Sequence, residues 1–323
     1  MGERLHFMLE RLDQRSDVLA EVLDAVDLGG ALAARTEVRA PWALHFGDGK
    51  AQAAFHVVAK GACWARCDTS GQVAELAAGD VVLFPHGSGH TLGDNPATPP
   101  TEFAALAGCA PPDAPVELPI GGNGPPTTLL CGSYVYAADG PNPLLYGLPD
   151  VLHVPAASTR GSCLAATVDL LVAEAKRDDA GSAVVIDRLV DLTFVYALRA
   201  WLDLQGPDAT PTWFGALHDP IVGPALRAIH ADPAAAWTVA ELARLTGLSR
   251  APFARRFREA VGEAPLAYVT RWRMTVAADR LAQGDRIAAV ARKVGYDNEF
   301  AFAKAFKRVR GIAPGQHRRR STG

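Results

Sequence analysis

The sequence predicts an α+β fold of several domains: an N-terminal antiparallel β barrel, a helical connector and a C-terminal all-α domain with two helix-turn-helix motifs. Three observations support this fold class. Short apolar runs separated by turn residues fill residues 30–136, and long runs with apolar residues every three to four positions fill 160–204. In the last third of the chain a segment of about 31 residues then recurs, about 48 residues further along.

The N-terminal region reads as a series of short strands. Five apolar runs have this pattern: FHVVAKG, CWARCD, DVVLFP, TEFAALAG and TLLCGSYVY. Turn signals such as TSGQ and SGHTLGDNPATPP separate them. Strands at this spacing are typical of an antiparallel barrel or sandwich, to which we assign residues 1–154.

Two long helices are predicted next, over residues 160–177 and 182–204. Their apolar faces could lie on the β domain or on a second copy of the chain. The linker QGPDATPTWFG (205–215) follows, and its proline and glycine residues favour a domain boundary. We therefore assign residues 155–214 to a connector that transmits a signal or dimerises, and residues 215–323 to a third domain.

Targeting and redox signals favour the cytoplasm. The first residues, MGERLHFMLERLDQRSD, lack the apolar core of a signal peptide, and no apolar run approaches the roughly 20 residues that span a bilayer. The five cysteines, at positions 63, 67, 109, 131 and 163, form no CxxC pair. On one strand Cys63 and Cys67 would lie about 13 Å apart, which is too far for a disulfide. Reduced thiols are therefore expected.

Charge divides the chain into an acidic and a basic part. Residues 215–323 hold 19 Lys and Arg against 9 Asp and Glu, whereas the first 214 residues hold 13 against 26. A positive surplus in one domain is typical of a protein that binds a polyanion such as nucleic acid. A basic face can also be merely solvated, so on charge alone both interpretations stay open.

The basic part contains an internal repeat. The segments 239–269 and 287–317 align with an offset of 48 or 49 residues. Six positions match: Ala243 with Ala291, Gly247 with Gly295, Phe253 with Phe302, Phe257 with Phe306, Gly262 with Gly311, and Pro265 with Pro314. Such self-similarity indicates that one supersecondary unit occurs twice.

Each copy reads as a helix-turn-helix, whose second helix normally enters the DNA major groove. In the first copy Gly247 lies in the turn and Ser249 caps the second helix; in the second copy Asp297 is the expected cap. The matched phenylalanine pairs, four residues apart, would anchor both second helices to the core. A helix over residues 265–282, about 27 Å long, would separate the two copies.

The remaining positions on these second helices point outward and are the candidate DNA contacts. In the first copy they are Arg250, Ala251, Ala254, Arg255 and Arg258, and in the second copy Asn298, Glu299, Phe300, Ala303 and Lys304. One side of each helix therefore faces the core and the other is available to read bases.

These motifs resemble the DNA-binding domain of AraC/XylS-type transcription regulators. The resemblance rests on ELARLTGLSRAPFARRFREAVGEAPLAYVTRWRM and VARKVGYDNEFAFAKAFKRVRGIAPGQHR, and covers about residues 215–320. It implies base contacts from the first turns of both recognition helices, RNA polymerase as a partner, and a structural or phosphate-side role for Arg273. The family often has larger polar residues where this chain has Ala251 and Ala254. The first helix would then read little beyond what Arg255 and thymine methyl groups allow.

The stretch GDVVLFPHGSGHTLGDN (79–95) resembles the second motif of cupins. The motif positions are Gly79, Pro85, Gly87 and His90. Regulators of this family often carry a cupin-like sensor before the DNA-binding domain, so the resemblance implies a cupin-like barrel that senses a signal. Enzymatic cupins also need a first motif with His-x-His and Glu, and those positions here hold Gly47, Gly49 and Ala54. A cupin oxygenase site cannot be assembled from these residues.

Other candidate metal ligands remain in the β domain: His56, His86, His90 and Cys131. Together they could close a tetrahedral zinc site, or hold nickel or copper, as a structural or switching metal. Alternatively, His56 and His90 are hydrogen-bonded interior histidines and Cys131 is a small buried apolar residue. A third interpretation makes Cys131 a redox-sensing thiol.

A cavity in the β domain would suit a small apolar or aromatic effector. The candidate lining residues are Trp42, Phe55, Trp64 and Phe84. The sequence as a whole therefore favours a dimer-capable, sequence-specific transcription regulator that binds double-stranded DNA and has no catalytic residues. The alternative is a cupin-type isomerase or oxygenase fused to a DNA-tethering domain, and the broken first motif argues against that enzyme.

Overall fold

The computed structural model describes residues 18–25, 28–48, 52–107, 120–136, 147–177, 179–205 and 213–321. They form two compact units. The β-sheet unit comprises the described residues of 28–136 and 148–209, and the helical unit those of 1–27, 137–147 and 210–323. Cys109, Gly49 and most of the predicted linker at 205–215 lie outside the described residues.

The strands are β1 (Leu28–Arg39), β2 (Ala43–Phe46), β3 (Gln52–Lys60), β4 (Ala62–Cys67), β5 (Val73–Ala77), β6 (Val81–Phe84), β7 (His90–Gly93), β8 (Thr101–Glu102), β9 (Ile120–Gly121), β10 (Pro126–Tyr136) and β11 (Leu152–Val154). The helices of the β-sheet unit are α2 (Phe103–Ala107), α3 (Cys163–Glu174) and α4 (Ser182–Gln205). The helical unit holds α1 (Val18–Ala25), α5 (Trp213–His218), α6 (Val222–Ala231), α7 (Val239–Leu245), α8 (Arg250–Val261), α9 (Pro265–Ala282), α10 (Ile287–Lys293), α11 (Glu299–Arg310) and α12 (Pro314–Ser321).

The strands form two separate sheets. One has the order β11-β6-β3-β10-β1-β9 and the other the order β5-β4-β7-β2-β8. Most neighbours are antiparallel, but β1 pairs with β9, and β2 with β8, in parallel. The predicted cupin-like, mainly antiparallel β domain is confirmed. Among the described strands the hydrogen bonding forms two mixed sheets and does not close into one barrel.

Four of the five predicted strand segments are confirmed as β3, β4, β6 and β10. The fifth, TEFAALAG, is wrong: only Thr101–Glu102 pair as a strand, and the chain then enters helix α2. Its sequence FAALA has three alanines, the residue with the highest helix propensity, and this local preference prevails over its apolar strand-like pattern.

A single apolar core lies between the two sheets. Its fully buried members include Val38, Leu44, Val58, Leu92 and Leu129, which come from strands of both sheets. Side chains alternate across each strand, so one face of each of the strands β1 to β7 and of β10 enters this core. Burial of this apolar face stabilises the unit by the hydrophobic effect.

The connector helices belong to the β-sheet unit, where α4 packs on β1. The Tyr134 hydroxyl donates to the Val190 carbonyl oxygen at 2.8 Å, and the Gly30 amide donates to Asp191 Oδ1 at 3.1 Å. A Cβ at Gly30 would lie 2.5 Å from Val190 Cγ1, so glycine allows this close approach of helix and strand. The connector is thus joined to the sheet by hydrogen bonds as well as by packing.

The helical unit confirms the predicted repeat. Helix α9 spans Pro265–Ala282, the predicted range, and begins with proline in its first turn, where backbone amides have no intrahelical acceptor. Helices α8 and α11 both end at a left-handed glycine, Gly262 and Gly311, with φ of 84° and 76°. These matched ends explain why both glycines recur in the repeat.

Helix α1 packs in the helical unit against α6 and α9. A buried polar chain lies beneath it. Trp213 Nε1 donates to the Tyr268 hydroxyl at 2.7 Å, and that hydroxyl lies 2.7 Å from His230 Nε2. Glu21 Oε2 of α1 lies 3.4 Å from His230 Nδ1. No local pattern in the sequence indicated this long-range contact. Among the described helices, none has the length and apolar character needed to cross a membrane.

Candidate nucleic-acid interface and ligand cavity

The first recognition helix, α8, has its inner face anchored as predicted. Phe253 and Phe257 are both 0% exposed, with ring centroids 5.7 Å apart. Ser249 is the N-cap residue by backbone conformation, although its hydroxyl makes no capping hydrogen bond. The predicted contacts Arg250, Ala251, Arg255 and Arg258 are exposed and Ala254 is half-buried. The structure thus places all five on the outer side of the helix.

The second recognition helix, α11, repeats this arrangement. Phe302 and Phe306 are fully buried, whereas Asn298, Glu299, Phe300 and Lys304 are exposed and Ala303 is half-buried. The predicted cap Asp297 is wrong, because Asn298 is the N-cap and its Oδ1 accepts from the Ala301 amide at 2.7 Å. Phe300 is 81% exposed, which is unusual for so large an apolar side chain.

Several arginines near these helices have partners within the unit. Arg256 Nη2 donates to Asp219 Oδ2 at 2.7 Å, and Arg273 donates to the carbonyl oxygens of Pro233 and Ala235 at 2.7 and 2.8 Å. The structural role expected for Arg273 is therefore confirmed. These contacts separate arginines that hold the fold from those, such as Arg255, that extend outward.

A cavity of about 210 Å³ opens in the β-sheet unit. It is lined by Phe46, Gly47, Ala53, Ala54, His56, Gly87, Ser88, His90, Phe103, Cys131, Gly132 and Ser133. Gly47 is exposed, and Phe46, Ser88 and Phe103 are half-buried, so this side of the cavity reaches the surface. The cavity contains His56, His90 and Cys131 of the predicted set.

The predicted aromatic lining is wrong. Trp42, Phe55, Trp64 and Phe84 do not line the cavity, because their side chains are buried elsewhere, with Trp42 and Phe84 in the core between the sheets. Phe46 and Phe103 supply the aromatic surface instead, with ring centroids 4.7 Å apart. Phe46 could have been found from its place on a short strand, whereas Phe103 lies in the segment wrongly predicted as a strand.

His56 and His90 face each other, with their Nε2 atoms 2.8 Å apart. His90 Nδ1 lies 2.9 Å from the Ser88 carbonyl oxygen, which can only accept, so Nδ1 carries the proton. Burial lowers the pKa of His90 to about 4 and holds the pKa of His56 well below 6.5. Both rings are therefore neutral at physiological pH.

These bonds determine the tautomers. Because neutral His90 is protonated at Nδ1, its Nε2 accepts the hydrogen bond and His56 Nε2 donates it. His56 Nδ1 is then a bare acceptor. Within the described part of the chain it has no hydrogen-bond partner, although the ring is 1% exposed. A buried acceptor without a donor is costly and needs an explanation.

The predicted four-ligand metal set is not assembled. His86 is exposed, and its Nε2 lies 3.0 Å from the Leu148 carbonyl oxygen, away from the cavity. Two nitrogens on one tetrahedral zinc would lie about 3.3 Å apart, farther than the His56–His90 pair. The described residues contain no group of three or more His, Cys, Asp and Glu side chains placed to hold a metal. The arrangement of these residues does not fit a zinc ion, and zinc binding stays an untested prediction.

The Cys131 thiol has little redox character in this site. It is 1% exposed, and burial raises its pKa well above the ordinary value for a thiol. A sensing thiol needs solvent access and a lowered pKa, so the interpretation as a small buried residue is favoured. The four described cysteines, Cys63, Cys67, Cys131 and Cys163, form no disulfide with one another.

A second histidine site lies beside the cavity. His45 Nδ1 lies 2.8 Å from Glu102 Oε1, and His45 Nε2 lies 2.8 Å from Asp68 Oδ2. Both nitrogens can donate only when the ring is protonated. Burial alone would lower the pKa of His45, but the hydrogen bonds and charges of the two carboxylates outweigh it and raise the pKa. His45 and Glu102 directly precede Phe46 and Phe103 in the chain, so the pair ties together the segments that carry the cavity's aromatic rings.

We expect this site to make stability depend on pH. Because the folded-state pKa of His45 is raised, its stabilisation is present below about pH 6.5 and is lost as pH rises through the folded-state value. Melting temperatures between about pH 6 and about pH 9 should therefore fall more in the wild type than in His45→Gln. Parallel curves for the two proteins would contradict this assignment.

Comparison with known proteins finds matches to both parts of the chain. A family model described as "Cupin" matches residues 17–203, and one described as "Helix-turn-helix domain" matches 242–320. A putative AraC-like transcription regulator of Streptomyces antibioticus is 34% identical over 94% of this chain and 98% of its own length. One of Streptomyces lividans is 33% identical over 95% and 99%. An uncharacterized HTH-type transcriptional regulator of Haemophilus influenzae is 29% identical over 94% and 98%.

These matches extend over nearly the full length of each relative. They include the β-sheet unit with its cavity as well as both helix-turn-helix copies. The same assignment follows from the structure, which has cupin-like sheets and a repeated helix-turn-helix with outward-facing second helices. The chain belongs to the AraC-like transcription regulators, with a cupin domain before a DNA-binding helix-turn-helix domain.

Proposed function

We propose that both recognition helices read double-stranded DNA through the ten outward positions of α8 and α11. The observation that carries this proposal is the matched orientation of the two copies: each buries a phenylalanine pair and exposes the opposite face. Helix α9 has 18 residues and is about 27 Å long, and successive major-groove faces lie about 34 Å apart. A spacer of this length suits two helices that enter adjacent turns.

The outward residues differ in what they can recognise. Arg255 can form a bidentate contact to guanine, and Glu299 can accept from the cytosine amino group. The exposed Phe300 ring and the alanines suit thymine methyl groups. Arg250, Arg258 and Lys304 suit either bases or phosphates. The second helix therefore presents the more varied set of base-reading side chains.

DNA binding is tested by a gel shift with the promoter region of the chain's own gene and a shuffled control of equal length. We expect the promoter fragment to bind more tightly, with affinity falling steeply as salt rises because phosphate contacts release counterions. Equal binding of the two fragments would contradict sequence-specific recognition.

We also propose that the connector dimerises. Several apolar side chains of α3 and α4 are exposed: Leu170, Val184, Val185, Leu192 and Leu204. Val185 and Leu192 are two helical turns apart and lie on the same side of α4. An exposed apolar row of this kind is stabilised when a second copy covers it.

Sedimentation of the wild type and Leu192→Glu tests this proposal. We expect the wild type to dimerise at micromolar concentration and the variant to be shifted to monomer by at least about tenfold in dissociation constant. The control is Val73→Glu, an exposed valine of β5 outside the connector. A monomeric wild type, or equal shifts in both variants, would contradict dimerisation through α4.

The cupin domain is proposed to bind a signal molecule without transforming it. Gly47 and Ala54, at two positions where enzymatic cupins carry metal ligands, line the cavity and offer no ligand atoms. The remaining histidines bond to each other and to the Ser88 carbonyl oxygen. We place the protein in the cytoplasm, where it acts on DNA with RNA polymerase as its second macromolecular partner.

A further inference from the structure

We propose that the cavity takes an uncharged, one-ring molecule that carries a hydrogen-bond donor, phenol being the simplest member of this class. This inference rests on the proposed sensing function and names the chemistry of its ligand. It starts from the bare acceptor at His56 Nδ1, which the tautomers of the His56–His90 pair require.

Size limits the ligand to about one ring. The cavity volume is about 210 Å³, and an engineered apolar cavity of about 150 Å³ in another protein holds benzene. Drug-sized ligands need pockets of about 300 Å³ or more. A single ring with one or two small substituents therefore fits, whereas a long acyl chain or a fused ring system does not.

The walls of the cavity favour an aromatic body. Phe46 and Phe103 stack with centroids 4.7 Å apart, and Phe46 stacks on the His90 ring at 5.0 Å with an interplanar angle of 7°. Ring centroids in this range are typical of favourable aromatic pairs. Ala54 and Cys131 add small apolar surface between them. A flat ring extends this stack.

Charge is disfavoured on the ligand. The lining contains no Lys, Arg, Asp or Glu side chain among the described residues, and burial keeps both histidines neutral. A carboxylate or an ammonium group would lose its hydration without a partner of opposite charge. A neutral hydroxyl instead donates to His56 Nδ1, and the costly unpaired acceptor is satisfied.

The donor of the ligand completes a chain of hydrogen bonds. The ligand hydroxyl donates to His56 Nδ1, His56 Nε2 donates to His90 Nε2, and His90 Nδ1 donates to the Ser88 carbonyl oxygen. His56 Nδ1 is closed to solvent, so entry of the ligand needs a small displacement of a neighbouring ring. Phe46 is half-buried, with its centroid 4.7 Å from that of His56, and is the ring that moves. A bound ligand would therefore contact Phe46 of β2 directly and link His56 of β3 to Ser88, in the turn before β7, through hydrogen bonds.

The test compares phenol with toluene, which has the same shape but no donor, by calorimetric titration of the full chain. Benzoate and zinc chloride are titrated separately. Burial of apolar surface by itself favours toluene over phenol. We nevertheless expect phenol to bind at least as tightly as toluene, because its hydroxyl donates a hydrogen bond to His56 Nδ1 and toluene has no donor. In His56→Phe the ratio of the two affinities should shift by about tenfold towards toluene, whereas His86→Phe, outside the cavity, should leave the ratio unchanged.

Several outcomes would overturn the proposal. They are tighter binding of toluene than of phenol by the wild type, no binding of either, tighter binding of benzoate, or zinc binding that is lost in His56→Phe. The comparison of phenol with toluene in the wild type tests the need for a hydrogen-bond donor even where His56→Phe fails to fold. Specific DNA binding is measured on the same samples, so failure of the proposed regulatory function is seen separately from failure of the ligand class.

Discussion

Replacing Phe257 with alanine should lower the free energy of unfolding of the helical unit by about 3–5 kcal/mol. The ring is fully buried and lies 5.7 Å, centroid to centroid, from both Phe253 and Tyr268. Its removal leaves a cavity at the contact between α8 and α9, and this contact sets the direction of the first recognition helix. Urea denaturation of the full chain measures the loss, and DNA binding should fall with it.

The matched control is Phe300→Ala. Phe300 is 81% exposed, so its removal should change the free energy of unfolding by no more than about 0.5 kcal/mol. It should still weaken binding to sites that have thymine opposite α11, because the ring is proposed to contact the thymine methyl. Equal destabilisation by the two substitutions would show that the helices are oriented differently from this structure.

Arg255→Ala should weaken binding to the preferred DNA site by about 1–3 kcal/mol and relax the choice of base at one position. The Arg255 side chain is 75% exposed, and its only ion pair among the described contacts is a long one, 3.8 Å from Glu259. Such an exposed pair contributes little to stability, so the guanidinium is available to a guanine. Competition binding with single-base variants of the site measures both effects.

Arg256→Ala is the control for this prediction. The Arg256 guanidinium is held at 2.7 Å by Asp219, so its loss should alter stability or overall affinity without changing base preference. A relaxed base preference in Arg256→Ala, with Arg255→Ala unchanged, would mean that the outward face of α8 has been assigned one residue out of register.

The repeat within the helical unit could be predicted closely from the sequence, for a physical reason. Its helices are determined by local periodicity, capping residues and glycines, and the repeat provides a second, independent copy of each signal. Helix α9 has the predicted bounds and both phenylalanine pairs are buried. Within the repeat the cap of α11 was misplaced by one residue, because Asp297 and Asn298 are both good capping residues. Helix α1 was not predicted as part of this unit, since its contacts are long-range.

The cavity could be predicted only in part. Three of the four candidate ligands named from the sequence, His56, His90 and Cys131, do line one cavity, whereas His86 does not. The aromatic lining depends instead on how the second sheet packs on the first and on the helix that begins at Phe103. The tautomers depend on a single carbonyl, that of Ser88. Contacts between segments that are distant in the sequence produce no local pattern from which they could be predicted.

The most direct test of the account is a selection of sheared genomic DNA by the full chain, followed by sequencing of the bound fragments. We expect enriched fragments that share two short elements about 10 base pairs apart, because the length of α9 suits the proposed entry of α8 and α11 into adjacent turns of the duplex. Arg255→Ala should lose preference in one element and Phe300→Ala in the other. Recovery of fragments with no preference over random DNA would contradict the central claim that this chain reads a specific sequence.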